Sequence, residues 1–314
     1  MGYRKIIAFG DTSYVVSLPK DWVEKNGLKK GDVVNVIVDE NVLKISSIEH
    51  KQDNSQSEIN INFDGNLKRL NSQILYAYIN NYNVINLNGK DIYKILKDIR
   101  EITKNFMYLD IIDQTSNNRV VLNSSVNLYD VSVHDTIRRM DRILVSMSED
   151  VKNYLSGKEQ DVSLSLDNKE ENINKLCHLV FKTLKGGFNP SHRSILKLDL
   201  HDLFYYWELA LFVEKVADQV KRIPRFTDFN VPNQLVMAFD AVMTQYQDAM
   251  KSNFVKDYEL AVSVIAKKKQ VYEKIESCLE GLDPKHIVYK ERIRVINDYS
   301  GNLAKALLRL KVEK

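Results

Sequence analysis

Two pairs of oxygen-bearing side chains stand at helical spacing in the second half of the chain, Glu170 with Asn174 and Glu214 with Asp218. Residues four apart leave the same face of a helix, so two antiparallel helices that align these pairs would bring four oxygen-bearing side chains together. Such a set suits an oxygen-ligated cation such as Fe, Mn or Mg, and the absence of histidine from it disfavours zinc. The plainer alternative is surface acids that pair with Lys215, Lys221 and Arg222 on the same segment. A second cluster is cationic. Among the first thirty residues, Arg4, Lys5, Lys20, Lys25, Lys29 and Lys30 are opposed only by Asp11, Asp21 and Glu24. A dimer would set two copies of Arg4, Lys5 and Lys20 near a shared edge, where they can meet several phosphates. Extension to residue 50 adds Lys44 but also Asp32, Asp39, Glu40 and Glu49, and the stretch becomes neutral.

Other combinations carry less chemistry. His134-Asp135 and His201-Asp202 look like base and orienter, yet neighbours on a helix point about 100° apart and no serine or cysteine nearby has the context of a nucleophile. Tyr205-Tyr206-Trp207 reads as core aromatics rather than a base-stacking platform. The sequence contains no P-loop, GxGxxG or GxSxG. Cys177 and Cys278 belong to no CxxC or Cys/His cluster and read as reduced core thiols. No enzyme is expected, and a metal-dependent hydrolase built on Glu214 and Asp218 would lack a general base.

The elements that must position these residues follow from pattern. The chain has 314 residues with 44% hydrophobic and 28% charged content, which excludes wholesale disorder, collagen and a disulfide mini-protein. Only 11 glycines and 5 prolines punctuate it, so long helices predominate. The net charge of +3 says little about partners, and any attraction to nucleic acid must be local. No apolar run is long enough for a membrane span, and we expect a cytoplasmic protein without membrane insertion.

Residues 1–48 read as two hairpins around a short helix opened by Pro19 and closed by Asn26-Gly27. Their strands hold more aliphatic residues than one thin sheet covers, and dimerisation is the simplest remedy. Residues 49–57 read as a linker. Residues 58–128 alternate strands with helices: Ile59 to Phe63, helix Asn66 to Asn80, strand Val84 to Leu87, helix Asp91 to Asn105 and a hairpin around Ser116-Asn117-Asn118. Beyond Leu128 the spacing is helical throughout. Ile137, Met140, Leu144, Met147 and Val151 form one seam, and Leu203, Tyr206, Ala210, Val213, Ala217 and Val220 another. Breaks at Leu155-Ser156-Gly157, Gly186 to Pro190, Pro224 to Pro232, Ser252-Asn253 and Gly281 to Pro284 predict six helices, as two three-helix bundles over 129–228 and 229–314.

Two segments resemble known families. Arg4-Lys5-Ile6, Gly10-Asp11-Thr12-Ser13, Val16-Ser17-Leu18-Pro19-Lys20-Asp21-Trp22 and Gly27-Leu28-Lys29-Lys30-Gly31-Asp32-Val33-Val34 resemble the AbrB/MazE/SpoVT swapped-hairpin DNA-binding family. This resemblance implies an interleaved homodimeric β-barrel, with Arg4, Lys5, Ser13 and Lys20 at positions that face or flank double-stranded DNA. Leu211-Phe212-Val213-Glu214-Lys215-Val216-Ala217-Asp218-Gln219-Val220 resembles the signature of PhoU, the phosphate-uptake regulator, whose two three-helix bundles carry acidic motifs that can hold metal. In the second bundle Arg294 to Ala304 falls on the same signature, with Asp298 kept and Arg294 in place of the glutamate, opposite Lys268 and Tyr272. Cations there would neutralise Asp298 directly, so metal is expected in the first bundle and not in the second.

The expected architecture is multi-domain and mainly α: a swapped-hairpin β-barrel, a small α/β module and two PhoU-like bundles. The combination resembles archaeal-type phosphate-uptake regulators and implies a homodimeric transcriptional regulator that binds DNA through the barrel and senses phosphate status through the bundles. Contact with the ATPase of a phosphate ABC transporter is a further expected partnership. The alternative is an adaptor that acts on the transporter without touching DNA.

Overall fold

Gly10, at φ 71°, turns the chain between strands β1 (Ile6–Phe9) and β2 (Ser13–Val16), a conformation that costs glycine little. Helix α1 (Lys20–Lys25) follows Pro19, whose missing N–H the first turn does not need. Asn26 closes α1 by donating from Nδ2 to the Trp22 carbonyl at 2.7 Å. Strands β3 (Val34–Asp39) and β4 (Val42–Ser47) then pair antiparallel. The two hairpins are separate two-stranded sheets in the single chain. This computed structural model describes residues 3–39, 42–47, 57–127, 130–280 and 286–310. Most of the linker expected at 49–57, the turn at Glu40-Asn41 and the break expected from Gly281 to Pro284 lie outside them.

The chain divides into two compact units, Met1–Ser57 and Glu58–Lys314. The larger begins with a four-stranded sheet in the order β5-β6-β8-β7, built from β5 (Glu58–Asn62), β6 (Val84–Asn88), β7 (Leu109–Ser116) and β8 (Arg119–Ser124). Only β5 and β6 run parallel, and α2 (Leu67–Ile79) provides the crossover that such a pair requires. Asn66 caps α2 by accepting from the Arg69 N–H at 3.1 Å. Ile61, Ile85, Leu87, Val120 and Leu122 meet Leu70, Ile74, Ala77 and Tyr78 in a core of their own. The single helix expected from Asp91 to Asn105 is instead a 3-10 turn, Ile92–Ile95, followed by α3 (Leu96–Thr103). Ile95, at φ −105° and ψ 18°, leaves α geometry between the two and so delays the α-helix by a turn.

Seven helices follow: α4 (Val133–Leu155), α5 (Ser163–Gly186), α6 (Pro190–Leu196), α7 (Leu200–Arg222), α8 (Asn233–Val255), α9 (Tyr258–Leu279) and α10 (Ile287–Arg309). Six had been expected. The extra one, α6, starts at the break that Gly186 to Pro190 predicts, because Pro190 ends one helix pattern and equally well opens another at its first residue. Helices α4, α5 and α7 pack on one another, as do α8, α9 and α10, and α7 against α10 joins the two triplets. One continuous hydrophobic core runs through both. The first seam is buried at every position from Ile137 to Val151, and in the second only Tyr206 remains partly exposed.

Leu144 is fully buried in this core, whereas Leu164 is 73% exposed. Leu144→Ala should therefore cost about 2–5 kcal/mol, and Leu164→Ala less than about 0.5 kcal/mol. Urea unfolding of the two variants checks the contrast.

Candidate functional site

In the N-terminal unit the sequence-predicted DNA-facing residues sit around the first hairpin. Arg4 and Lys5 lead into β1 and are exposed, and Ser13 begins β2 opposite Phe9. Lys20 opens α1 with 85% of its side chain exposed, its Nζ 3.6 Å from Glu24. Asp32 is committed to the next turn, where it accepts the Lys29 N–H at 2.6 Å. These four exposed groups lie within or close in sequence to a β1–β2 ladder of unusual composition. Ile6 pairs with Val16 and Ala8 with Tyr14 on one face, and Ile7 pairs with Val15 and Phe9 with Ser13 on the other. Ile6, Phe9 and Tyr14 are each more than 70% exposed, so this hairpin presents apolar side chains on both faces. A lone two-stranded hairpin is marginal in water, and contiguous apolar surface of this kind marks an interaction site.

In the larger unit, antiparallel packing brings α5 and α7 together as the four-oxygen reading required, but cations intervene. Glu170 Oε1 accepts from Asn174 Nδ2 at 2.7 Å, and its Oε2 lies 2.9 Å from Lys221 Nζ, which also reaches Asp167 at 3.0 Å. Glu214 pairs with Lys215 at 3.2 Å and Asp218 with Arg222 at 2.9 Å. Burial pushes the Glu214 carboxyl above the usual glutamate range. Lys215 opposes that shift, and the charges of Asp218 and Glu170 add to it. Burial pulls Lys221 down, but its bonds to Glu170 and Asp167 outweigh this and hold it above the ordinary lysine value. Among the described residues no three His, Cys, Asp or Glu side chains gather closely enough to hold a metal.

The second triplet shows the counterpart. Lys268 Nζ lies 2.7 Å from Asp298, and the Arg294 guanidinium stacks 4.9 Å over the Tyr272 ring, so the four expected positions meet across α9 and α10. Arg294 does not neutralise Asp298, however. It bonds instead to Glu276 and to Glu291, because Glu276 on α9 and Glu291 one turn earlier on α10 both lie within its reach. Between the triplets Arg292 donates to Gln219 Oε1 at 2.8 Å and lies over Phe226. Sequence reasoning missed this link. It also missed Lys182, although the run from Leu176 to Phe181 carries no charged residue, the sign of a helix covered on more than one side. The declined candidates are structural: Asp202 completes a capping box with Asp199, Tyr205 is buried and bonds Asn253, and Trp207 stacks on Phe181.

Residues 7–53 match the family of MazE, a bacterial antitoxin of antidote-toxin recognition, and the N-terminal unit is thus MazE/AbrB-like. No curated protein and no solved structure matches the chain. No helix among the described residues is long and apolar enough to cross a membrane.

A carboxyl held above its unfolded value lowers stability as pH rises through that range. Glu214→Gln should therefore raise the Tm at pH 7, with the gain shrinking to nothing as pH falls below about 4. Thermal unfolding between pH 3.5 and 8 measures this, and an unchanged Tm at pH 7 would contradict the assigned burial cost.

Proposed function

We propose that this chain is a homodimeric DNA-binding regulator of phosphate uptake, in which the N-terminal unit grips DNA and the helical triplets play the part of PhoU-like bundles. The observation that carries the reading is the MazE match over residues 7–53 on a hairpin that leaves both faces apolar, with Arg4, Lys5, Ser13 and Lys20 exposed within or beside it in sequence. A second copy of the chain would cover those faces and double the cations, and a two-fold DNA site suits such a pair. The PhoU-like part is supported by two triplets of long helices and by paired positions Glu170, Asn174, Glu214 and Asp218 in one against Lys268, Tyr272, Arg294 and Asp298 in the other. Its working partners in this reading are cytoplasmic: operator DNA and the ATPase of a phosphate transporter. No catalytic step is assigned to it. An oxygen-ligated metal, Fe, Mn or Mg, enters the first triplet only by displacing Lys221, Lys215 and Arg222 from the carboxylates they now occupy. None is assigned to the second, where Lys268 holds Asp298.

The adaptor alternative rests on one feature, the neutral balance of residues 1–50. Fluorescence anisotropy of the full-length protein on DNA upstream of phosphate-transport genes, against random DNA at two salt concentrations, separates the two. The regulator should bind with a steep salt slope and a clear preference, and Arg4→Ala with Lys5→Ala should flatten that slope by about 3 to 4, four phosphate contacts being lost per dimer. Absence of binding at low salt would leave the adaptor.

A further inference from the structure

Helix α4 of the first triplet and α8 of the second meet along a surface cleft of about 290 Å³. Arg138 and Asp141 line it from α4, and Gln247, Met250, Lys251 and Phe254 line it from α8. Elsewhere along this helix pair a cation has its acid, since Lys152 of α4 lies 2.8 Å from Asp240 of α8. In the cleft the cations have none. Among the described residues no carboxylate pairs with Arg138, with Arg142 one turn further along α4, or with Lys251. Arg138 is nevertheless held in place. Its Nε donates to His134 Nε2 at 3.3 Å, and its guanidinium lies 4.8 Å from the centre of the Phe254 ring. Because His134 accepts at Nε2, its proton sits on Nδ1, which faces Asp135 Oδ1 at 3.4 Å. The His134-Asp135 pair thus orients an arginine rather than a nucleophile. It leaves both terminal nitrogens of Arg138 without a partner among the described residues, and an anchored guanidinium fork of this kind suits an oxyanion.

Asp141 decides which oxyanion. Tyr246 donates to its Oδ1 at 2.8 Å, and among the described residues nothing bonds its Oδ2. A carboxylate set among cations repels an anion unless that anion brings a proton to share. Burial holds the Asp141 carboxyl above the usual aspartate range, against the Tyr246 hydrogen bond and the charges of Arg142 and Arg138, which makes it a stronger acceptor. Near neutral pH sulfate carries no proton and a phosphate monoester has mostly lost its last one, whereas inorganic phosphate keeps one. We propose that this cleft binds inorganic phosphate, gripped by Arg138 and Lys251 and selected through a hydrogen bond from its remaining proton to Asp141. A phosphate held there touches both triplets, so its occupancy favours the arrangement of α4 against α8 that brings Arg138 and Lys251 to one ion. The site deepens the regulatory reading above and rests on it for its purpose, in that it names the ligand through which the helical triplets read phosphate.

Isothermal titration calorimetry of the full-length protein in chloride buffer near neutral pH, without DNA, tests the site with inorganic phosphate, sulfate and glycerol phosphate. Phosphate should bind once per chain and about tenfold or more tighter than the other two, which is the worth of one hydrogen bond to a charged group. Arg138→Ala and Lys251→Ala should each weaken phosphate by about tenfold or more. Asp141→Asn, whose side-chain oxygen still accepts from Tyr246, should lose most of the preference for phosphate over sulfate. Sulfate binding as tightly as phosphate in the wild type, unchanged phosphate affinity in both cation variants, or no heat with phosphate at millimolar concentration would each overturn the site. Lys251 is exposed, so its variant alters the surface alone, and the wild-type comparison of phosphate with sulfate decides even if Asp141→Asn does not fold. Because no DNA takes part, a negative titration leaves the DNA-binding reading intact, and absence of DNA binding leaves the phosphate site to its own titration.

Discussion

Helix α5 is claimed by two neighbours at once, and much of the larger unit follows from that constraint. Ile173, Cys177, Val180 and Leu184 join the core shared with α4 and α7, while His178 and Lys182 face the α/β module. A helix covered on both sides cannot rotate to improve one contact without losing the other. Its N-terminal half then presents Glu170 to Lys221 of α7, and its C-terminal half meets the end of α2. The carboxylates and the module are in this sense positioned by a single helix.

The two triplets solve one electrostatic problem in different ways. Across α5 and α7 three acids are each matched by a lysine or arginine, all three of these cations from α7. Across α9 and α10 Lys268 takes Asp298 directly, while Arg294 is held by Glu276 and Glu291. Gly301 makes this possible, since a Cβ there would come within 3.2 Å of the Lys268 chain. The absence of a side chain on α10 lets the lysine lie flat against it and reach Asp298.

Elements defined by repeated burial were readable from residue types alone. The 3 and 4 spacing from Ile137 to Val151 is a local signal, and every one of those side chains is buried. The motifs around Gly10, Pro19 and Gly31 were readable too, because turn chemistry is local, and they lie within or beside the matched residues 7–53. What failed depended on single dihedrals or distant partners. Ile95, at φ −105° and ψ 18°, interrupts a helix that its neighbours favour. Gly186, Gly187 and Pro190 read as a stop, although the proline also starts α6. Arg294 chooses Glu276, eighteen residues away, and no spacing rule ranks that carboxylate above Asp298. Nothing in the segment around Lys182 shows that α2 ends against it.

The double-sided apolarity of the first hairpin has a consequence for how it finds its own alignment. In most strands a slip by one residue exchanges a buried apolar face for a polar one, and the resulting penalty selects the correct pairing. Here the slipped and correct ladders would expose nearly the same aliphatic content, because Ile6 and Ile7, or Val15 and Val16, are interchangeable in kind. Side-chain chemistry cannot arbitrate between them. Alignment of β1 with β2 therefore rests on the geometry of the Gly10-Asp11-Thr12 bend, a clasp of three residues that decides which apolar face is which.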